Sequence, residues 1–308
     1  MRVARRLEFP LRGAGGEPVD LWRTLNSHGF VDLPPMLLQE QARTLEITTP
    51  IAGARPRTLR VSDGSDGRGS VTILGSAPSE RTAARALAGI QYLLRLDADL
   101  SGFYELAQDD PDLAWVTSGA GRMIRSPTVF EEVIKTICTT NCAWSATKRM
   151  VGALVEHLGA LAPGAPSDGP YGRAFPTPAA MAEASEDFYR GVVRAGYRGP
   201  HLLAVARSVS DGELDLEILG RASPQDLPDA ELERRLLALP GVGPYAAAHV
   251  MLTLGRYSRL ILDSWTRPAY ARHVGRKAVS DAAMARRFKR YGPYAGLAFW
   301  LILTRDWV

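Results

Sequence analysis

Three stretches in the first third of the chain alternate apolar and polar residues with a period of two: residues 44–49 (TLEITT), 57–61 (RTLRV) and 70–74 (SVTIL). Such alternation, rich in β-branched residues, predicts half-buried strands. Residues 62–69, SDGSDGRG, are turn formers, so the last two strands read as a hairpin. At residues 79–96 the period becomes helical. Ala83, Leu87, Ile90 and Leu94 fall on one face, and Ser79 stands where an N-cap belongs.

From residue 97 strands are hard to find and helical patterns follow one another. Ser126-Pro127 predicts a helix start with proline at the first helical position, and Phe130, Val133, Ile134 and Ile137 form its apolar stripe. Residues 145–158 carry a second helix with Ala146, Met150, Leu154 and Leu158 on one face. A loop rich in Pro, Gly and Ser at 162–172 precedes helices near 179–194, 199–209 and 228–238. This order predicts an α+β fold: an N-terminal antiparallel β domain with a helix over residues 1–115, then an all-α domain over 116–308. A length of 308 residues agrees with two domains or one with a subdomain.

Composition narrows the class. With 46% hydrophobic and 23% charged residues the chain reads as globular, and no apolar run is long enough to span a bilayer. The basic start, residues 1–12, is followed by no apolar stretch of a signal peptide, so the expected location is the cytoplasm. Cys138 and Cys142 are too few for a disulfide framework or a four-thiolate cluster, and their spacing fits one helix face or a helix end.

The net charge of +4 hides an uneven distribution. Residues 255–308 hold eleven Lys/Arg against three acids, whereas residues 210–235 hold eight acids and three bases. Such polarity suits a polyanionic partner met at one end, or a solvated basic face.

The most informative stretch is residues 236–254, LLALPGVGPYAAAHVMLTL. One helix ends at Leu239-Pro240 and another begins at Pro244. Between them Gly241, Val242 and Gly243 permit a tight reversal whose backbone N–H groups, at the positive end of the second helix, can approach a DNA phosphate. LPGVGPYAA, followed by an apolar helix and then by Leu260-Ile261-Leu262-Asp263, resembles the helix-hairpin-helix DNA glycosylases. Residues 126–150 resemble the helix pair of 8-oxoguanine DNA glycosylases that presents an Asn to the orphaned base, which falls on Asn141. Gly196-Tyr197-Arg198 resembles that family's Gly-Tyr-Arg, whose Tyr wedges into the duplex. The C-terminal YGPYAGLAFWLILTRDW resembles 3-methyladenine DNA glycosylase II, and the β-rich first portion fits the antiparallel domain of both families.

The resemblance implies a partner, double-stranded DNA with a damaged base, bound by a monomer. It implies no cofactor beyond a monovalent cation that hairpin carbonyls near Leu239 could hold. It also implies a role for Asp263. Breaking a base–sugar bond builds positive charge on the sugar, which an ionised carboxylate stabilises; the bland reading of the same residue is a helix N-cap. Bifunctional members carry a nucleophilic Lys two residues after the second hairpin glycine, and here that position is Tyr245, which predicts water as nucleophile and an intact strand. Tyr245, His249 and Trp300 are the candidate base pocket, with Asn141, Tyr197 and Arg198 the candidate wedge and opposite-base contacts; Trp300 reads equally as core. Stacking aromatics favour a cationic alkylated purine. The alternatives are an 8-oxoguanine or deaminated-purine glycosylase, and a non-catalytic helix-hairpin-helix DNA-binding protein. Two departures weaken the oxoguanine match: Ala146 replaces the Arg five residues after Asn141, and Ser264-Trp265 replace the His after the catalytic Asp.

Overall fold

The computed structural model describes residues 3–308; residues 1 and 2, which begin both the basic start and the expected first domain, lie outside the described residues. Five strands, β1 Val3–Pro10, β2 Met36–Gln39, β3 Thr44–Ile51, β4 Ala54–Asp63 and β5 Arg68–Leu74, form one antiparallel sheet of order β1-β5-β4-β3-β2. The expected hairpin is β4–β5, with Leu59 opposite Ile73 and Val61 opposite Val71. These residues, with Leu45 and Ile47, are buried in a core shared with helix α1, Glu80–Leu93. The Ser79 hydroxyl caps α1, accepting from the Thr82 N–H at 3.2 Å.

Strands β1 and β2 went unpredicted for a physical reason. Both lie at the sheet edges, where only one neighbour demands order. β1 (VARRLEFP) buries Phe9 alone, and β2 is four residues long, so neither shows alternation.

After the sheet the chain is helical, apart from an isolated bridge between Leu161 and Arg173. The longer helices are α2 Val129–Thr139, α3 Trp144–Leu158, α4 Arg198–Ser210, α5 Asp229–Leu237, α6 Pro244–Thr253, α7 Thr266–His273, α8 Asp281–Phe288 and α9 Ala295–Thr304. Two expectations need correction. Helix α2 starts two residues late: Thr128 is extended and its hydroxyl accepts from the Glu131 N–H at 3.1 Å, so Thr128 is the cap and Pro127 precedes it. The helix expected near 179–194 is a short one, Pro178–Glu183, and a single π-helical turn, Phe188–Val192, separated where Ala184 turns extended.

Buried side chains gather into three clusters. One is the sheet with α1. The second joins α2, α3, α4, α5 and α6 through Val133, Ile137, Leu154, Leu202, Leu236 and Val250. The third packs residues 100–123 against α8 and α9, with Phe103, Val116, Phe288 and Phe299 at its centre. Residues 100–116 therefore share their core with the C-terminal helices. Among the described residues, no helix is long and apolar enough to cross a membrane.

Candidate active site

Asp263 lies on the loop between α6 and α7. Its Oδ1 accepts from the backbone N–H of Trp265 at 2.9 Å and of Thr266 at 2.7 Å, and the buried Thr266 hydroxyl accepts in return from the Asp263 N–H at 2.9 Å. This reciprocal pair starts α7 and locks the carboxyl group in place. The neighbouring Arg267 is spent on Asp281, with two contacts of 2.8 and 2.9 Å, and no ion pair among the described residues involves Asp263. The capping geometry occupies Oδ1 and leaves Oδ2 without a hydrogen-bond partner among the described residues.

Two cavities meet at this residue. An outer cleft of about 680 Å³ runs past Asn141, Tyr197, Gly241, Gly243 and Arg267, and an inner pocket of about 390 Å³ is walled by His28, Phe30, His249, Trp300 and Trp307. Thr139, Trp144, Tyr245, Asp263 and Trp265 line both and so form the throat between them. The inner pocket is mostly aromatic. Trp265, Trp300 and Trp307 touch one another with ring centroids 5.5 to 5.7 Å apart.

The three expected pocket residues come together here. Tyr245 and His249 sit one turn apart on α6, their rings 6.1 Å apart. The Tyr245 hydroxyl lies 3.2 Å from the Thr139 hydroxyl, and burial, with the charge of Asp263 adding, raises its pKa above the ordinary phenol value. Trp300 satisfies both of its readings: it is buried on α9, its indole N–H donates to the Ser27 carbonyl at 2.7 Å, and it still lines the pocket.

The hairpin is built as its glycines require. Gly241 has φ +80°, and a Cβ there would stand 3.0 Å from the His201 Cβ. Gly243 caps α6 with open space around it, while Val242 is buried and its N–H donates to the Leu239 carbonyl at 3.1 Å. Pro244 opens the helix, so the unpaired N–H groups of the first turn lie beside the outer cleft. The Leu239 carbonyl keeps a second lone pair. No cluster of metal-binding side chains occurs among the described residues.

Asn141 and Tyr197 also meet, across the outer cleft. Asn141 takes a left-handed backbone, φ +47°, and its side-chain amide donates to the Tyr197 hydroxyl at 3.2 Å. Tyr197 is 54% exposed. Arg198 stands behind Tyr197. It is buried, its Nε donates to the Thr140 carbonyl at 3.0 Å, and its guanidinium lies 4.5 Å from the Tyr197 ring. It braces the turn that carries Asn141 and backs the ring of Tyr197.

Charge pairing refines the count made along the chain. Arg256 and Arg259 are neutralised by Asp229 and Glu233 of the acidic stretch, and Arg290 by Asp110. Arg272, Arg276, Lys277, Arg286, Arg287 and Lys289 stay exposed and unpaired among the described residues. Of the cysteines, Cys138 is buried on α2 with its thiol pushed up to about 12 by burial, and Cys142 follows the helix end, its thiol 3.2 Å from the Cys138 carbonyl.

Most of the pocket lining was not foreseen. His28, Gly29 and Phe30 come from the N-terminal part of the chain and reach the site only through the tertiary fold. Trp144 carried a readable signal: it is a large aromatic outside the buried stripe of α3.

Several solved structures superpose over nearly the whole chain. The fold is that of helix-hairpin-helix DNA glycosylases. MBOgg1 in complex with a low-affinity DNA ligand matches with a TM-score of 0.72 at 18% identity, covering 98% of this chain and 96% of its own. The 3-methyladenine DNA glycosylase from Archaeoglobus fulgidus matches with 0.72 at 17% identity, covering 98% and 99%. The Clostridium acetobutylicum 8-oxoguanine glycosylase/lyase, in complex with DNA containing cytosine opposite 8-oxoguanine, matches with 0.66 at 21% identity, covering 91% and 92%. No family profile and no curated protein sequence matches the chain. The fold is thus shared with structures named for 3-methyladenine and for 8-oxoguanine.

Proposed function

We propose that the chain is a monofunctional DNA glycosylase that hydrolyses the bond between a flipped, alkylated purine and its sugar. One observation carries the reading: the unpaired carboxylate of Asp263 stands at the throat between an open cleft and a pocket walled by aromatic rings. Chemistry on a paired base requires that the nucleotide leave the stack, and a flat aromatic pocket is what the extruded base then occupies. The sugar stays at the throat, where a fixed negative charge stabilises the oxocarbenium-like transition state and can orient a water. Because Asp263 is held by two backbone N–H groups, it needs no reorganisation as charge develops.

The hairpin supports the DNA side of the reading. Its glycines and the first turn of α6 present backbone N–H groups to the outer cleft, suited to a phosphate of any sequence. Tyr197, exposed and backed by Arg198, suits a wedge that fills the gap left by the flipped base, with Asn141 beside it for the orphaned partner. The partner is double-stranded DNA, met by a monomer.

Two features favour water over an amine and an alkylated over an oxidised base. No lysine lines either cavity among the described residues, and Tyr245 occupies the position of the bifunctional enzymes' nucleophile. The pocket offers rings to a cationic purine, whose departure is already favoured by its charge. The test is a panel of duplexes carrying 7-methylguanine, hypoxanthine, 1,N6-ethenoadenine or 8-oxoguanine, incubated with and without borohydride and then treated with alkali. The expected result is release of 7-methylguanine, strand breaks only after alkali, and no trapped protein–DNA adduct. An adduct sinks the monofunctional reading; release of 8-oxoguanine with alkylated bases left in place sinks the substrate reading.

A further inference from the structure

Arg267 is the only Lys or Arg that lines either cavity among the described residues, and it stands one helical turn after Asp263. Its N–H donates to the Asp263 carbonyl at 3.4 Å, closing the first turn of α7. An acid four residues before an arginine is the spacing and order in which helix side chains pair most readily. That pair is not made. The guanidinium turns instead to Asp281, fourteen residues on, with Nε on Oδ1 at 2.8 Å and Nη2 on Oδ2 at 2.9 Å. These bonds hold the Arg267 pKa above the ordinary guanidinium value and the charge of Asp263 adds to them, so both carboxylates act on one cation.

Asp281 is placed by a firmly seated element. It is the first residue of α8, whose Met284 and Phe288 are buried in the third cluster. The cap of that helix is the Ser280 hydroxyl, which accepts from the Ala283 N–H at 3.3 Å, so Asp281 is not needed for capping. The two paired side chains are 44% and 49% exposed, and an ion pair so open to solvent adds little to stability. What the pair does change is the field at the throat. A guanidinium on Asp263 would offset the negative charge that a developing oxocarbenium needs.

We propose that Asp281 is a positioning residue that holds Arg267 away from Asp263 and so keeps that carboxylate free of a counterion. The inference rests on the glycosylase reading and deepens it. It reconciles two demands on the outer cleft. A cation beside the DNA backbone aids binding, whereas the same cation on Asp263 would silence the group that acts on the sugar. The bidentate grip of Asp281 fixes which carboxylate the cation serves.

The test is single-turnover release of 7-methylguanine at saturating enzyme, or of whichever lesion of the panel the wild type releases fastest. It is measured for wild type, Asp281→Ala, Asp281→Glu, Arg267→Met and the double variant Arg267→Met/Asp281→Ala, each beside a Kd for the same duplex from fluorescence anisotropy. In Asp281→Ala the freed arginine falls back on Asp263. The expected result is a rate about threefold to tenfold lower with a Kd equal or tighter, since an acid beside the cleft is lost. Asp281→Glu keeps a carboxylate on the guanidinium and is expected to retain about half of the wild-type rate or more. In the Arg267→Met background the change at Asp281 is expected to move the rate by less than about twofold, because no cation is left to misplace. Thermal melts show that each variant is folded. Equal losses from Asp281→Ala with and without Arg267, or an Asp281→Ala rate within about twofold of wild type, overturn the inference and leave the glycosylase reading standing. A wild type that releases no lesion of the panel overturns both.

Discussion

Replacing Asp263 by asparagine keeps an acceptor oxygen for the N–H groups of Trp265 and Thr266 and removes the charge. Replacing it by alanine removes both. The two variants therefore separate the cap from the chemistry, which the sequence pattern alone left as competing readings of one residue. Asp263→Asn is expected to melt in urea like the wild type and to bind duplex DNA as well or better, since a negative charge near phosphates is lost, while base release falls by a factor on the order of a hundred or more. Asp263→Ala is expected to lose the same activity and, in addition, about 1 kcal/mol of stability, the usual cost of an N-cap. An Asp263→Asn protein that retains more than a few per cent of the wild-type single-turnover rate removes Asp263 from the proposed role and returns it to capping alone.

At the scale of elements, what could be read from the chain was what is local in sequence. Strands β3, β4 and β5 announce themselves because each packs one face on α1 and alternates accordingly. The hairpin is legible because both helix ends and both glycines fall within twenty residues. The pocket's far wall was not, because His28, Phe30 and Trp307 owe their place to contacts across the molecule, such as the Trp300 indole on the Ser27 carbonyl. Arg198 shows a further limit: nothing local in the sequence signals that the Thr140 carbonyl accepts from it. The hairpin itself makes a prediction at this scale. Gly241→Ala is expected to cost about 1–2 kcal/mol, because the backbone is left-handed there and His201 stands in the way. Gly243→Ala meets open space with φ −101°, a value any residue adopts, so it is expected to melt within about 0.5 kcal/mol of wild type. Its methyl group would nevertheless keep a phosphate from the N–H groups of α6. Fluorescence anisotropy should then show weaker binding of Gly243→Ala to damaged and undamaged duplexes alike; weakening on damaged DNA only would assign the hairpin to base recognition instead of backbone contact.

The whole molecule depends on a polar tie between its parts. Arg122 is fully buried, pairs with the equally enclosed Glu17, and donates through Nη1 to the Ala98 carbonyl at 3.0 Å, while Glu17 Oε1 accepts from the Leu100 N–H at 2.7 Å. Two residues further on, Ile124 meets the N-terminal part of the chain: its N–H donates to the Ser27 hydroxyl at 2.9 Å and its carbonyl faces His28. The ion pair therefore anchors the strip of chain on which the pocket's His28 and Phe30 are hung. Removing one partner leaves a charge buried without compensation, which is far more costly than removing both. Arg122→Met is accordingly expected to destabilise the protein by about 3–5 kcal/mol, and the double variant Arg122→Met/Glu17→Leu by clearly less, as read from urea unfolding midpoints. The double variant also separates stability from site geometry. With the pair removed, the bonds to the Ala98 carbonyl and the Leu100 N–H go too, which loosens the strip that meets Ser27 and His28, so excision should fall more than stability does. A double variant as unstable as Arg122→Met would show that the loss comes from the hydrogen bonds to residues 98 and 100, and not from the stranded carboxylate.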